Sequence, residues 1–154
     1  MVTLTQKFGI PNIELGCSTG GKINPSSFAG HDLVVLFGPE EPAACAREVA
    51  AYRQHRDKFA RHDAWLLAFT DETIEPPCGP ADGRILTIAD PDRRAWTAFR
   101  DLTRHAEEMD RASGATFLFT RGGGLHRYWH GSGHVDDVLA ELRTPSSEHP
   151  HQQV

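Results

Sequence analysis

Cysteine is scarce in this sequence, with only Cys17, Cys45 and Cys78 among 154 residues. Three cysteines so far apart cannot form a disulfide scaffold, and none has the paired Cys-x-x-Cys spacing that zinc sites use. In a reducing compartment a lasting disulfide is not expected either. Any cysteine chemistry in this chain is therefore expected to be transient or catalytic.

Long apolar runs and an excess of positive charge are also missing. The N-terminal stretch MVTLTQKFGIPNIELG lacks the cationic start and apolar run of a secretory signal, and no segment has the length of a membrane span. The 16 lysines and arginines are outnumbered by 21 aspartates and glutamates, giving a net charge of −5. This balance argues against nucleic acid or an anionic membrane as a partner. The sequence predicts a cytoplasmic protein.

What is present is an alternation of strand-like and helix-like segments. Short β-prone apolar runs predict five strands of one sheet, at 33–37, 64–70, 84–89, 115–120 and 125–130. The last two are joined by RGGG, whose glycines favour a tight hairpin turn rather than a phosphate-binding loop, since no helix follows. Strands that alternate with helices predict a three-layer α/β/α domain with a central mixed sheet.

Three helices are predicted between and after these strands. The first runs from Pro42 to about Arg61, with the proline at the first helical position. The second has Asp90 as its N-cap and continues past Met109 to about residue 113. A short helix covers 134–143. We expect residues 1–143 to form one domain and the polar residues 144–154 to be a disordered tail.

Cys45 lies in the first turn of the predicted Pro42 helix. A thiol there is near the positive end of the helix dipole, which lowers its pKa, whereas Glu48 one turn later acts in the opposite direction. The alternative is an inert thiol that fills the core, because cysteine is among the most buried residue types. The residues alone leave both interpretations open.

The segment Pro39-Glu-Glu-Pro42-Ala-Ala-Cys45-Ala-Arg-Glu48 resembles the Pro-x-x-x-Thr-x-x-Cys-x-x-Glu pattern of peroxiredoxins. LTIADPDRRAW and ATFLFTRGGGLHRYWHG are similar to later segments of that family, so the likeness extends from about Phe28 to Arg143. It implies a thioredoxin-like fold of the peroxiredoxin type, with Cys45 as the peroxide-reactive cysteine and Glu48 beside it.

The chain departs from the family pattern at two positions of the active site. Pro42 stands where the family has a threonine, and Gly114 or Ser113 stands where the family has an arginine. Arg111 and Arg47 are the arginines that could supply a cation by another route. Both changes remove groups that would stabilise the transition state of peroxide reduction.

Cys78 lies in CGPADGRILTIAD, a context similar to that of the resolving cysteine in some peroxiredoxins. The resemblance implies a disulfide between Cys45 and Cys78 in the oxidised protein, a hydroperoxide or disulfide substrate and a cellular dithiol as reductant, with no cofactor. A catalytically inactive thioredoxin-fold binding module remains the alternative function, and a homodimer is left open.

His126, His130 and His134 recur every fourth residue, a spacing that would align metal ligands on a helix. They fall instead in a predicted strand and a glycine-rich turn, where that spacing does not bring side chains together. No metal site is predicted from them.

Overall fold

The computed structural model describes residues 9–16, 22–70, 84–104 and 106–142 of the chain. Its central feature is a sheet of five strands, and a separate pair of two-residue strands precedes it. The small pair consists of β1 (Leu15–Gly16) and β2 (Lys22–Ile23); the main strands are β3 (Asp32–Phe37), β4 (Ala64–Thr70), β5 (Ile85–Ala89), β6 (Ala115–Phe119) and β7 (Leu125–His130).

The main sheet is mixed, in the order β5-β4-β3-β6-β7. Strands β3, β4 and β5 are parallel to one another. Strand β6 pairs antiparallel with β3, and β7 pairs antiparallel with β6, so β7 runs in the same direction as β3. Val35 in the middle of β3 is in register with Leu67 of β4 and Phe117 of β6. The predicted central mixed sheet is confirmed, with 33–37 as its innermost strand.

In the part of the chain that the structure describes, four helices pack on this sheet: α1 (Pro42–Arg53), α2 (Arg56–Arg61), α3 (Arg94–Arg100) and α4 (residues 135–142). Short 3-10 turns occur at Pro25–Phe28 and Ala106–Glu108.

Alternate residues of each strand face opposite layers of helix. One core joins Val34 and Leu36 of β3 to side chains of α1, α2 and α4. The other core joins Phe37 to Trp96 and Phe99 of α3. All six residues of β3 are buried, because helices cover both faces of the sheet. The three-layer α/β/α prediction is confirmed.

The predicted single helix from Pro42 to Arg61 is wrong in one respect, because it is interrupted at Gln54 and His55. His55 adopts φ −115° and ψ 22°, and its N–H bonds to the Tyr52 carbonyl three residues back. The i→i+4 ladder therefore stops, and a new helix begins at Arg56. Neither residue is a helix breaker, so the sequence pattern does not mark this turn.

The predicted long helix from Asp90 to about residue 113 is also wrong, because only Arg94–Arg100 is α-helical. Its N-cap is Arg93, in the left-handed region with φ 58°. Asp90 nevertheless supplies the cap, since its carboxylate accepts hydrogen bonds from the N–H groups of Ala95 and Trp96. At the other end the Thr103 hydroxyl donates to the Arg100 carbonyl, a local bond that competes with helix continuation.

Two predictions concern residues outside the described ranges: the disulfide of Cys78 with Cys45 and the disordered tail at 144–154. Cys17 also lies outside these ranges. Within the ranges that are described, no helix is long and apolar enough to cross a membrane.

Candidate functional site

The site lies where β3 ends and α1 begins. Pro42 occupies the first position of α1, as predicted, and Glu41 is its N-cap, with a side-chain oxygen that accepts a hydrogen bond from the Ala44 N–H. The Cys45 N–H donates to the Glu41 carbonyl at 2.9 Å, the first bond of the helix ladder. Cys45 therefore sits on the first turn of a capped helix, at the carboxyl edge of the parallel strands.

Cys45 is 4% exposed and packs against the backbone of Gly38. A Cβ atom added at Gly38 would overlap the Cys45 Sγ and lie 3.3 Å from its Cβ. The thiol thus occupies the space that any side chain at 38 would need. Glycine at this position is what allows α1 to bring Cys45 onto the end of β3.

Arg111 reaches the same residue from a different direction. Its guanidinium donates a hydrogen bond to the Gly38 carbonyl and lies over the rings of Phe37 and Trp96, 5.7 and 5.9 Å from their centroids. Both rings belong to the core on the α3 face, whereas Cys45 belongs to the α1 layer. Cys45 and Arg111 therefore meet at Gly38, with its peptide contacted by both.

Gly114, where the resemblance would require an arginine, has no room for a side chain. Its φ is +86°, a region that side-chain-bearing residues rarely adopt. A Cβ atom there would lie 2.6 Å from the Phe37 carbonyl oxygen and 3.1 Å from the Pro39 nitrogen. The backbone of Gly114 packs directly on residues 37–39, and Arg111, 5% exposed, is the arginine that contacts this loop from the same turn.

Glu48 is buried one helical turn after Cys45. Both of its carboxylate oxygens accept a hydrogen bond from the Gly133 N–H, at 3.0 Å each. Tyr52, the next buried residue along this face, has its pKa raised well above its usual value, chiefly by burial and further by the Glu48 charge. Tyr52 therefore stays protonated, and Glu48 ties α1 to the loop that follows β7.

The end of β7 and the loop that follows it also hold the turn that carries Arg111. The His130 Nε2 accepts a hydrogen bond from the Asp110 N–H at 3.0 Å, and the Gly131 N–H donates to the Gly114 carbonyl at 2.8 Å. The Glu40 N–H completes the connection by donating to the Ala112 carbonyl. The residues around Gly38 and those around Arg111 thus form one hydrogen-bonded unit.

The three spaced histidines do not converge. His126 contacts the Glu141 carboxylate, which also accepts a hydrogen bond from Arg127, and these contacts hold the pKa of Glu141 below its usual range. The His134 Nε2 lies 3.0 Å from the His130 carbonyl oxygen. Among the described residues no group of three or more His, Cys, Asp or Glu side chains is arranged to hold a metal ion.

The glycine-rich turn after β6 is a hairpin turn, as predicted. Gly122 and Gly123 have positive φ, and their N–H groups donate to the carbonyls of Ala29 and Thr120. These amides are consequently not available to cradle a phosphate. A cavity of about 310 Å³ beside this turn, at the other end of β3, does not include Cys45.

Of the four predicted site residues, Cys45 and Arg111 meet at Gly38. Glu48 lies on α1, the helix that also carries Cys45. Cys78 lies outside the described residues. Sequence reasoning missed Gly38 itself. The only feature of the sequence that marks Gly38 is the Gly-Pro pair that follows a buried strand. Such a pair also occurs in ordinary turns.

The comparisons with known proteins bear on the fold. No family model matches the sequence, and no curated protein is significantly similar to it. Solved structures are similar over most of the chain. The peroxidoxin BcpB of Mycobacterium tuberculosis is 18% identical with a TM-score of 0.68, covering 88% of this chain and 94% of its own.

Two further structures give the same result. The bacterioferritin comigratory protein of Xanthomonas campestris, described for its alkyl peroxide reduction activity, is 19% identical with a TM-score of 0.63, over 86% of this chain and 90% of its own. The mitochondrial 2-Cys peroxiredoxin of Plasmodium falciparum is 14% identical with a TM-score of 0.66, over 90% and 92%. This chain therefore has the thioredoxin-like fold in the form found in peroxiredoxins.

Proposed function

We propose that this protein is a thiol-dependent peroxidase of low efficiency that reduces hydroperoxides through Cys45. The observation that carries the proposal is the convergence at Gly38: a cysteine on the first turn of a capped helix packs on a peptide whose carbonyl binds a buried arginine. Helix N-termini and nearby cations favour the thiolate, which is the nucleophilic form of cysteine. The fold shared with peroxiredoxins supports the same chemistry.

The proposed reaction begins with the Cys45 thiolate attacking a peroxide oxygen. A sulfur–oxygen bond forms while the O–O bond breaks, and its electron pair leaves on an alkoxide, which takes up a proton and departs as an alcohol. Cys45 is oxidised to a sulfenic acid. The sulfenic acid then condenses with a second thiol and releases water, and a cellular dithiol reduces the resulting disulfide. Cys78 is our predicted second thiol.

We expect the reaction to be slow because two stabilising groups differ from the family pattern. Pro42 carries no hydroxyl to orient the peroxide, and Arg111 reaches the site through the Gly38 carbonyl rather than from position 114. Loss of one preorganised donor to a transition state costs about 2.7–4 kcal/mol, or a hundred- to a thousandfold in rate.

One observation favours a second candidate, a thioredoxin-fold binding module without catalysis. The Arg111 guanidinium already contacts the Gly38 carbonyl and two aromatic rings, so it can be explained as a brace of the loop. In that case Cys45 is a core thiol and the groove beside α1 binds a partner.

The rate of Cys45 oxidation by an alkyl hydroperoxide, measured in a single turnover, distinguishes the two candidates. The proposal predicts a slow, second-order reaction that Cys45→Ser abolishes and that Arg111→Lys slows, because lysine cannot reproduce the guanidinium contacts. Arg121→Lys, an exposed arginine in the β6–β7 turn, is the matched control and should leave the rate unchanged. A rate equal to that of cysteine in an unfolded peptide, unaffected by Arg111→Lys, would support the binding module.

A further inference from the structure

The last residue of β7 is a histidine whose contact needs one protonation state. The His130 Nε2 accepts the hydrogen bond from the Asp110 backbone N–H at 3.0 Å. A ring nitrogen that accepts a hydrogen bond carries no proton, so the neutral imidazole must hold its proton on Nδ1. A doubly protonated ring has no acceptor to offer to this amide.

Asp110 is the first residue of the turn that carries Arg111. Its own carboxylate accepts hydrogen bonds from the Ala112 N–H at 3.2 Å and the Ser113 hydroxyl at 3.1 Å, which shape the turn internally. His130 contributes the bond that joins the first amide of this turn to the end of β7. Arg111 then extends from the turn to Gly38.

We infer that His130 is a positioning residue for Arg111, and that it fixes the Asp110–Gly114 turn only while its imidazole is neutral. This inference rests on the proposed function for its catalytic consequence, but the positioning itself does not. Protonation of His130 removes the acceptor, so the turn loses its bond to the end of β7 at Asp110 while its internal bonds and those of Gly131 and Glu40 remain. The site at Gly38 becomes looser at mildly acidic pH, where histidines titrate.

The charged and titratable groups around His130 come from three elements. Asp110 belongs to the turn itself. His134, before α4, contacts the His130 carbonyl and lies 3.6 Å from the Asp137 carboxylate. Glu48 of α1 binds Gly133 within the same loop.

Hydrogen exchange of the Asp110 amide, followed from pH 8 to pH 5, tests the positioning directly. The exchange rate is expressed relative to that of the Gly122 amide. Gly122 lies in the distant β6–β7 hairpin turn, and its N–H donates to the Ala29 carbonyl. The inference predicts that the relative protection of Asp110 falls roughly five- to tenfold as the pH decreases, as for the loss of one hydrogen bond. His130→Gln, whose side-chain oxygen can replace the Nε2 acceptor without titrating, should keep the protection at all pH values.

The matched control is His126→Gln on the same strand, which should behave like the unmodified protein. Relative protection that is constant with pH in the unmodified protein, or that falls equally in His130→Gln, would overturn the inference. The rate of Cys45 oxidation is the second readout: the ratio of the unmodified rate to the His130→Gln rate should fall as the pH decreases. A protein that shows the exchange effect but no peroxide reaction would retain the positioning role and lose the proposed function.

Discussion

The backbone of Gly114 packs closely on the loop that leads into α1. Its positive φ and its contact with residues 37–39 leave no space for a side chain, so a cation at that position would require the loop to move. Arg111, within the same turn, supplies a guanidinium to the Gly38 carbonyl instead. An arginine at position 114 would therefore require a change of this backbone as well as a substitution.

At Gly114 we predict that substitution by alanine destabilises the protein more than the same change at a glycine of equal conformation. Gly131 is the matched control, because its φ is +88° and it has no atom within 4 Å of an added Cβ. Gly131→Ala should cost about 1–2 kcal/mol for its left-handed backbone. Gly114→Ala should cost roughly 1–3 kcal/mol more, because the Cβ collides with the Phe37 carbonyl.

Urea denaturation of both variants provides the comparison. Equal losses of unfolding free energy would contradict the close packing of Gly114 on residues 37–39.

At the scale of elements, strands were more predictable than helices. Residues 33–37 are apolar because both faces of β3 are covered, and that pattern is visible in the sequence. The limits of α3 instead depend on single contacts: the left-handed backbone of Arg93 and the bond from Thr103 to Arg100. Hydrophobic periodicity does not report such local bonds, so the predicted helix was far too long.

The same reasoning applies to the candidate site. Cys45 was predictable because a buried strand followed by a proline-initiated helix fixes its place within a few residues. The contact between Arg111 and Gly38 joins residues 73 positions apart and depends on the turn conformation at Gly114. No local pattern in the sequence encodes it.

For α3 we predict that Asp90→Ala lowers the unfolding free energy by about 0.5–2 kcal/mol, near the upper end of that range. Asp90 is 4% exposed, and its carboxylate holds two N–H groups at the start of the helix that carries Trp96. Asp92→Ala, an exposed aspartate two residues later, is the control and should change the free energy by less than about 0.5 kcal/mol. In thermal denaturation, Asp90→Ala should lower the Tm more than Asp92→Ala does. Equal Tm values for the two variants would disprove the capping role.

At the scale of the whole molecule, one carboxylate connects several segments at the edge of the sheet opposite Cys45. Asp63 contacts Arg84 before β5, His31 before β3 and Arg121 after β6. The hydrogen bond from Arg84, followed by that from His31, holds the pKa of Asp63 below its ordinary value of 3.8. Asp63 thus joins three segments at the end of the sheet opposite Cys45.

We predict that Asp63→Asn destabilises the protein at neutral pH and that the difference disappears in acid. A depressed pKa means that the folded state binds protons less readily than the unfolded chain, so these contacts stabilise the fold above the ordinary pKa. Their contribution to stability is lost as the pH falls below 3.8 and through the lower pKa that Asp63 has in the folded protein. The effect should be no more than about 1 kcal/mol, because the pairs are partly exposed.

Asparagine tolerates the left-handed backbone of Asp63, where φ is 55°, so the substitution removes the charge without adding strain. Unfolding free energies of both proteins between pH 2 and pH 7 give the comparison, with Asp92→Asn as the exposed control. A difference that persists unchanged at pH 2 would show that the contacts act through packing rather than charge.

The proposed redox activity of the Cys45 thiol can be measured by mass spectrometry after treatment with stoichiometric alkyl hydroperoxide. We predict oxidation at Cys45, seen as a sulfenic acid trapped by a carbon nucleophile or, after condensation, as the loss of two hydrogens in a peptide pair that joins Cys45 to Cys78. In Cys78→Ser the sulfenic acid should accumulate, and in Cys45→Ser no such product should form. A Cys45 that stays reduced in the folded protein under excess peroxide would contradict the account.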